Sequence, residues 1–342
     1  MPETRAAPVP DVVAAAMRLA DTVRGARREA EQARRTPAWL ADAIGRAGLY
    51  QLYLPRALGG PETPPLVGFR AIEELSRADG AVGWCAMIAS IMASHLAKLP
   101  IEVGLELAGI PADYRASGSG RPGGPTAGRA WPVAGGWRVS GQWNFASGID
   151  NARWLYCTCI VMDGDTPRMT EAGKPMLRMV WVPRDAVTIV DTWSVMGMRG
   201  TGSQDFTVED VFVPDRRSIA SDAQPVLPGA LYHPRSLVTI QWTLTVANAL
   251  GIARGAIDNL VALAGTEAST LNTALLRDRP MVQARIGEAE AMVNAARAYV
   301  FDAVGRLWDE LCTGAAPSDR AVAQARLAIV HAMHEATRAV DK

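Results

Sequence analysis

Neither sign of charge is in excess in this 342-residue chain, where 35 Lys and Arg face 35 Asp and Glu. That balance argues against nucleic acid or a membrane surface as partner, since both are held by an excess of basic side chains. Cysteine is scarce as well. Four in a chain of this length build no disulfide framework, which points to a reducing compartment and a cytoplasmic location. Long apolar runs are missing too. The uncharged stretch 237–253 is broken by Gln241, Thr243, Thr245 and Asn248 and is shorter than a bilayer core, so it reads as a buried helix. Residues 1–11 are polar and Pro-containing, without the apolar segment of an export leader. There is no internal repeat and no low-complexity tract. What the chain does have is 49% hydrophobic residues, enough to exclude wholesale disorder and to fill a substantial core.

The hydrophobic period divides the chain in three, with expected boundaries at 1–112, 113–222 and 223–342. The first part reads as helices over 12–35, 38–47, a third opened by Thr63-Pro64-Pro65, and 81–99 stopped by Pro100. In the second, many of the Gly and Trp residues accompany alternating runs at 137–145, 154–160, 177–182, 187–190 and 206–214. Short strands at that spacing indicate a small sandwich or barrel rather than βαβ units. The third part returns to helices over 236–264, 281–311 and 319–340. Helices, a β-domain and helices again make an α+β order.

Several motifs fail on context. Gly118-Ser119-Gly120-Arg121-Pro122-Gly123 spells G-x-G-x-x-G, but Pro122 and Pro125 stand where a pyrophosphate-binding helix should begin. His331 and His334 lack the Glu-x-x-His or His-Glu-x-x-His spacing of a helical metal site and read as residues on a bundle helix. Cys157 and Cys159 share one strand face with no second pair to complete a zinc site, so they read as small buried hydrophobes. No metal is expected.

Two segments of the β-part stand out. In Gly141-Gln142-Trp143-Asn144-Phe145-Ala146-Ser147-Gly148, strand alternation puts Trp143, Phe145 and Ser147 on one face, an aromatic wall with a hydroxyl suited to a planar cofactor. In Trp193 to Ser203, the turn Thr201-Gly202-Ser203 offers amides and hydroxyls to an oxygen-rich ligand. Ordinary tight turns between aromatic strands would account for both equally well. On the fourth helix, Trp84, Ile88, Ile91 and His95 fall on one face; a lone His there is more often a core residue than a functional one.

The chain resembles the acyl-CoA dehydrogenase superfamily over nearly its whole length. The resemblance is carried by Ala47-Gly48-Leu49, Leu54-Pro55 and Leu58-Gly59-Gly60, by the Trp143 segment, by residues 197–214, and by Pro280-Met281-Val282-Gln283. Trp143 to Gly148 with Ala152-Arg153-Trp154 is similar to the branch of flavin-dependent monooxygenases that serve as oxygenase components of two-component hydroxylases. The segment Ala116 to Gly124 lacks the acidic residues of the dehydrogenases' cofactor loop. The resemblance implies an N-terminal helical domain, a central β-barrel domain and a C-terminal helical bundle. It further implies reduced FMN or FAD supplied by a separate flavin reductase, a small aromatic or heteroatom substrate, and a homodimer or homotetramer. Trp143, Phe145, Ser147, Ser117, Ser119, Thr201, Gly202 and Ser203 would then contact the cofactor, and His95 and Ser147 would serve catalysis, His95 as proton partner.

Two departures leave alternatives. Relatives place a hydroxyl two residues after the flavin-facing Trp, where this chain has Phe145; Ser147 is the nearest substitute. They also continue beyond the position of Lys342, through a segment that carries a catalytic group. The alternatives are an acyl-CoA dehydrogenase with bound FAD and a catalytically degenerate scaffold with an incomplete bundle.

Overall fold

Asp11 accepts the Ala14 amide and so closes the first turn of α1 (Val12–Ala33), whose alanine-rich face is buried. The computed structural model describes residues 11–120, 127–267 and 275–342. Before α2 (Ala38–Arg46), Pro37 occupies the N-cap, and the Thr36 hydroxyl is committed elsewhere. It donates to the Gly200 carbonyl at 3.1 Å, tying this corner to a distant loop. Helix α3 (Pro65–Ala78) starts on a proline, whose missing N–H costs nothing at that position. Asp79 then caps α4 (Gly80–Ser94), accepting the Ala81 and Val82 amides at 2.9 and 3.0 Å. The sequence pattern predicts one helix over 81–99. Instead α4 stops at Ser94 and tightens into a 3-10 turn, His95–Lys98, ahead of α5 (Ile101–Ala108).

The strands are β1 (Ala116–Ser119), β2 (Arg129–Val133), β3 (Gly136–Ala146), β4 (Trp154–Asp163), β5 (Thr166–Pro167), β6 (Leu177–Pro183), β7 (Thr188–Val190), β8 (Gln204–Pro214) and β9 (Ser218–Ala220). They form one mixed sheet in the order β7-β8-β3-β2-β4-β6-β9, with β1 and β5 also paired to β4. Both β1 and β2 run parallel to β4, and the other pairings are antiparallel. Among the described residues the path does not close on itself, so the central domain expected to be barrel-like is an open mixed sheet. Alternating side chains of β3, β4, β6 and β8 fill its core.

Helices α6 (Leu237–Thr266), α7 (Pro280–Cys312) and α8 (Asp319–Val340) complete the chain. Helix α6 lies hard against α3. A Cβ on Gly251 would sit 2.5 Å from the Glu73 carbonyl oxygen, so only glycine permits that approach. Polar bridges pin α3 to its neighbours, α6 through Asn248 and α7 through Arg297. Asn248 donates to Ser76 Oγ at 2.8 Å and to the Gly80 carbonyl at 2.9 Å, and Arg297 meets both Glu73 oxygens at 2.8 and 3.0 Å. By length and composition Gly80–Lys98 and Leu237–Thr266 could each cross a membrane, with 72% and 39% of their most apolar windows buried in the fold. Both contribute to the helical core. A separate apolar seam of Leu96, Leu99, Val103, Tyr156 and Trp181 docks the sheet on α4 and α5, and it fixes the line along which helix and sheet face each other.

Candidate active site

Strand β3 changes register twice, and the second irregularity, between Trp143 and Ala146, decides what the site looks like. Phe145 takes φ +62°, a conformation rare for a bulky residue, and the bulge it makes breaks the expected alternation. Trp143 turns inward and is 1% exposed, whereas Phe145 turns outward and is 54% exposed. The predicted common face of Trp143, Phe145 and Ser147 is therefore corrected. The Trp143 ring stacks on Phe206 at 5.2 Å and its Nε1 donates to the Thr158 carbonyl at 2.8 Å. Gly128 lies so close beneath it that a Cβ there would fall 2.0 Å from the ring. No slot for a second ring remains beside that indole. The open aromatic surface belongs to Phe145, with Trp193 edge-on to it at 6.2 Å. The hydroxyl two residues beyond Phe145 is Ser147.

Ser147 joins residues from three distant segments. Its Oγ accepts from Trp84 Nε1 at 2.9 Å and lies 2.7 Å from Ser203 Oγ, which is itself 2.7 Å from Thr201 Oγ1. Ser117, on β1, donates to the Ser147 carbonyl at 2.8 Å, and Ser119 is buried on the same strand. The turn Thr201-Gly202-Ser203 was expected to present its amides to a ligand. Instead the Thr201 and Gly202 amides bond to Met198 and Arg199 within the turn, and all three residues are buried. Its hydroxyls point inward, toward Ser147.

At the other end of α4, His95 stacks on Tyr156 at 5.1 Å. The hydrogen positions around it follow from its neighbours. Ser94 donates to the Ile91 carbonyl at 2.6 Å, so its oxygen must accept from Gln241, which fixes the Gln241 amide nitrogen toward it at 2.9 Å. The same nitrogen lies 3.3 Å from His95 Nε2, which therefore accepts, leaving the proton on Nδ1. Nδ1 is buried and has no partner. Burial, reinforced by the charge of Lys98, pushes the His95 pKa down to about 3 and keeps the imidazole neutral. Between His95 and Trp84, Ile88 and Ile91 complete the predicted stripe. All four are half-buried, while most of α4 around them is buried. Eleven residues at helical rise span roughly 16 Å, longer than a three-ring heterocycle needs.

The arrangement thus offers an exposed aromatic face, a hydroxyl at one end of a half-open stripe, and an unpaired neutral imidazole N–H at the other. Burial pushes the nearby Cys85 thiol up to about 12, which removes it as a nucleophile. The described residues contain no group of three His, Cys, Asp or Glu able to hold a metal. His331 and His334 lie exposed on α8, and Cys157 and Cys159 are buried in the sheet core. Of the rejected G-x-G-x-x-G match, Arg121, Pro122 and Gly123 lie outside the described residues. Gln241 and Tyr156 were missed as site residues. The signal for Gln241 was its place among the four polar residues that interrupt the uncharged stretch 237–253.

Comparison with known proteins adds to this geometry. Residues 12–100 match the family described as acyl-CoA dehydrogenase, N-terminal domain, and residues 243–342 match acyl-CoA dehydrogenase, C-terminal domain. The chain is 33% identical over 273 residues to indole-3-acetate monooxygenase of Pseudomonas putida, covering 80% of this chain and 67% of that protein. It is 33% identical over 292 residues to the FADH(2)-dependent resorcinol hydroxylase, oxygenase component, of Rhizobium sp., covering 81% and 68%. Among solved structures, 3-HSA hydroxylase from Rhodococcus sp. RHA1 superposes with a TM-score of 0.84 at 28% identity, over 97% of this chain and 84% of that one.

Proposed function

The chain belongs to the flavin-dependent monooxygenase branch of the acyl-CoA dehydrogenase family, and from that premise we propose that it hydroxylates a small aromatic or heteroatom-bearing substrate as the oxygenase component of a two-component system. Reduced FMN or FAD, delivered by a separate reductase, supplies the electrons that activate O2. The residues present fit such a group. Phe145 offers a flat apolar face, Ser147 a hydroxyl for the ring's polar edge, and the orphaned Nδ1–H of His95 a donor in need of an acceptor. Ile88 and Ile91 exclude water from the space between. His95, neutral at working pH, donates a hydrogen bond from Nδ1 near the reacting atoms. Trp143 holds the strand from behind.

The observation that carries this reading is the unpaired imidazole donor at the end of a half-open stripe whose other end meets the Ser147 hydroxyl. A homodimer or homotetramer is part of the proposal, supported by Val238, Trp242, Val261 and Leu263, which α6 leaves exposed. A cytoplasmic location is supported by Cys85, Cys157, Cys159 and Cys312, all of which are free thiols. The test is a coupled assay with purified chain, an NADH-dependent flavin reductase, FMN or FAD, and a panel of phenolic and indolic acids. Hydroxylated product is expected only when reductase and flavin are both present. Oxidation of an acyl-CoA by the chain with a dye acceptor, and no hydroxylation, would instead favour the dehydrogenase.

A further inference from the structure

Between Ala81 and Leu99 the half-buried residues are Trp84, Ile88, Ile91, His95 and Lys98, and every other residue is buried. The half-open stripe therefore runs one step past His95 and ends on a cation. Turn geometry puts Lys98 there. In an α-helix a side chain three positions after His95 would sit about 60° away around the axis, whereas at three residues per turn it eclipses His95. The 3-10 turn His95–Lys98 thus sets the lysine on the same face as the imidazole, roughly 6 Å farther along the axis. The loop over 222–227 closes this end of the stripe. It is strapped down by the Val226 and Leu227 amides, which donate to the Ala97 carbonyl at 2.8 and 2.9 Å.

Lys98 stands apart from the chain's other two lysines. Lys174 and Lys342 are exposed, where water solvates an ammonium in full. Lys98 is half-buried, and among the described residues its ammonium has no ion pair and no hydrogen bond. His95 is no acceptor for it, since Nε2 already takes the Gln241 amide. Burial lowers the Lys98 pKa from its ordinary value, and the charge of Asp222, exposed on the covering loop, offsets this in part. A partly desolvated cation without an acceptor is unfavourable, and an arriving anion relieves it. Resting on the function proposed above, we infer that Lys98 is a specificity-determining residue whose ammonium pairs with a carboxylate carried by the aromatic substrate, one turn away from the imidazole N–H at the reacting end. The preferred substrates are then small aromatic acids rather than neutral phenols or indoles. A charge-assisted pair at such a half-dry position is worth about tenfold or more in affinity.

The test compares matched compounds that differ in charge and hardly in shape: indole-3-acetate against indole-3-acetamide, and 4-hydroxyphenylacetate against 4-hydroxyphenylacetamide. The full chain with reductase and FMN or FAD gives kcat/KM for each. Anaerobic calorimetric titration with dithionite-reduced flavin present gives each Kd. Wild type is expected to favour acid over amide by about tenfold or more in both readouts. Lys98→Met keeps the stem and removes the charge, so the acid-to-amide ratio should fall by about tenfold, through KM rather than kcat. Lys98→Arg should restore most of the preference. Asp222→Asn serves if Lys98→Met folds poorly: it alters an exposed side chain and removes the charge that competes for the ammonium. The acid-to-amide ratio should then rise roughly twofold. Equal treatment of acid and amide by wild type, or an equal loss for both in Lys98→Met, overturns the inference, and hydroxylation of either pair leaves the functional reading standing. Hydroxylation of none of the four compounds overturns the functional reading itself, and this inference with it.

Discussion

Replacing His95 by Ala is expected to cut reductase-coupled product formation by roughly a hundredfold or more, the usual scale for loss of one positioned hydrogen-bond donor at a reacting centre. Flavin binding should survive, because the variant leaves Phe145 and the Trp84–Ser147 bond untouched. The same substitution has a second signature. His95 is buried in its neutral form with a pKa near 3, against 6.5 when unconstrained. Above pH 6.5 neither folded nor unfolded chain protonates it, and its contribution does not vary. As pH falls below 6.5 the unfolded chain takes up a proton that the folded chain refuses, so stability declines progressively toward pH 3. Urea unfolding followed between pH 7 and 4 should therefore show a shallower acid-side decline in His95→Ala than in wild type. Parallel curves together with unchanged product formation would remove His95 from the account.

Trp143→Ala is the other large effect, and it falls on stability. The ring is fully enclosed against Phe206 and Gly128, and its N–H satisfies the Thr158 carbonyl. Truncation should cost about 3–5 kcal/mol, the range for large aromatic side chains lost from a packed core, and leaves a buried carbonyl unpaired. Phe145→Ala, two residues away, removes a side chain more than half exposed and should change stability by only about 0.5 kcal/mol. Chemical unfolding of the two variants side by side measures the contrast. Equal costs would mean that the bulge at Phe145 does not divide buried from open as described.

Much of the architecture was legible because local chemistry specifies it. Proline at the first turn of α3 and at the start of α7, and the 3.6-residue period of α8, set helices within a residue or two of where they lie. Alternation located β3, β4, β6 and β8. The short strands β1, β5 and β9 carry too few residues for a period to register, and their pairing comes from the neighbour β4 or β6. The site was harder. Alternation assigns Trp143 and Phe145 to one face, and nothing in the residue types announces a left-handed Phe, since bulky side chains disfavour that conformation and only the surrounding fold enforces it. The chain from Trp84 through Ser147 and Ser203 to Thr201 joins three segments far apart in sequence, so no local period encodes it. His95 was found from its helical spacing to Trp84. Its tautomer required Ser94 and Gln241 in place.

The central claim is that a flat ring rests on Phe145 rather than on Trp143. Its most direct measurement is the dissociation constant for reduced flavin, determined anaerobically for wild type and for Phe145→Ala. A rise of about tenfold, at an unchanged urea midpoint, is the predicted outcome, on the scale of one lost aromatic stacking partner and its buried area. An affinity that does not move when Phe145 is removed would contradict the account.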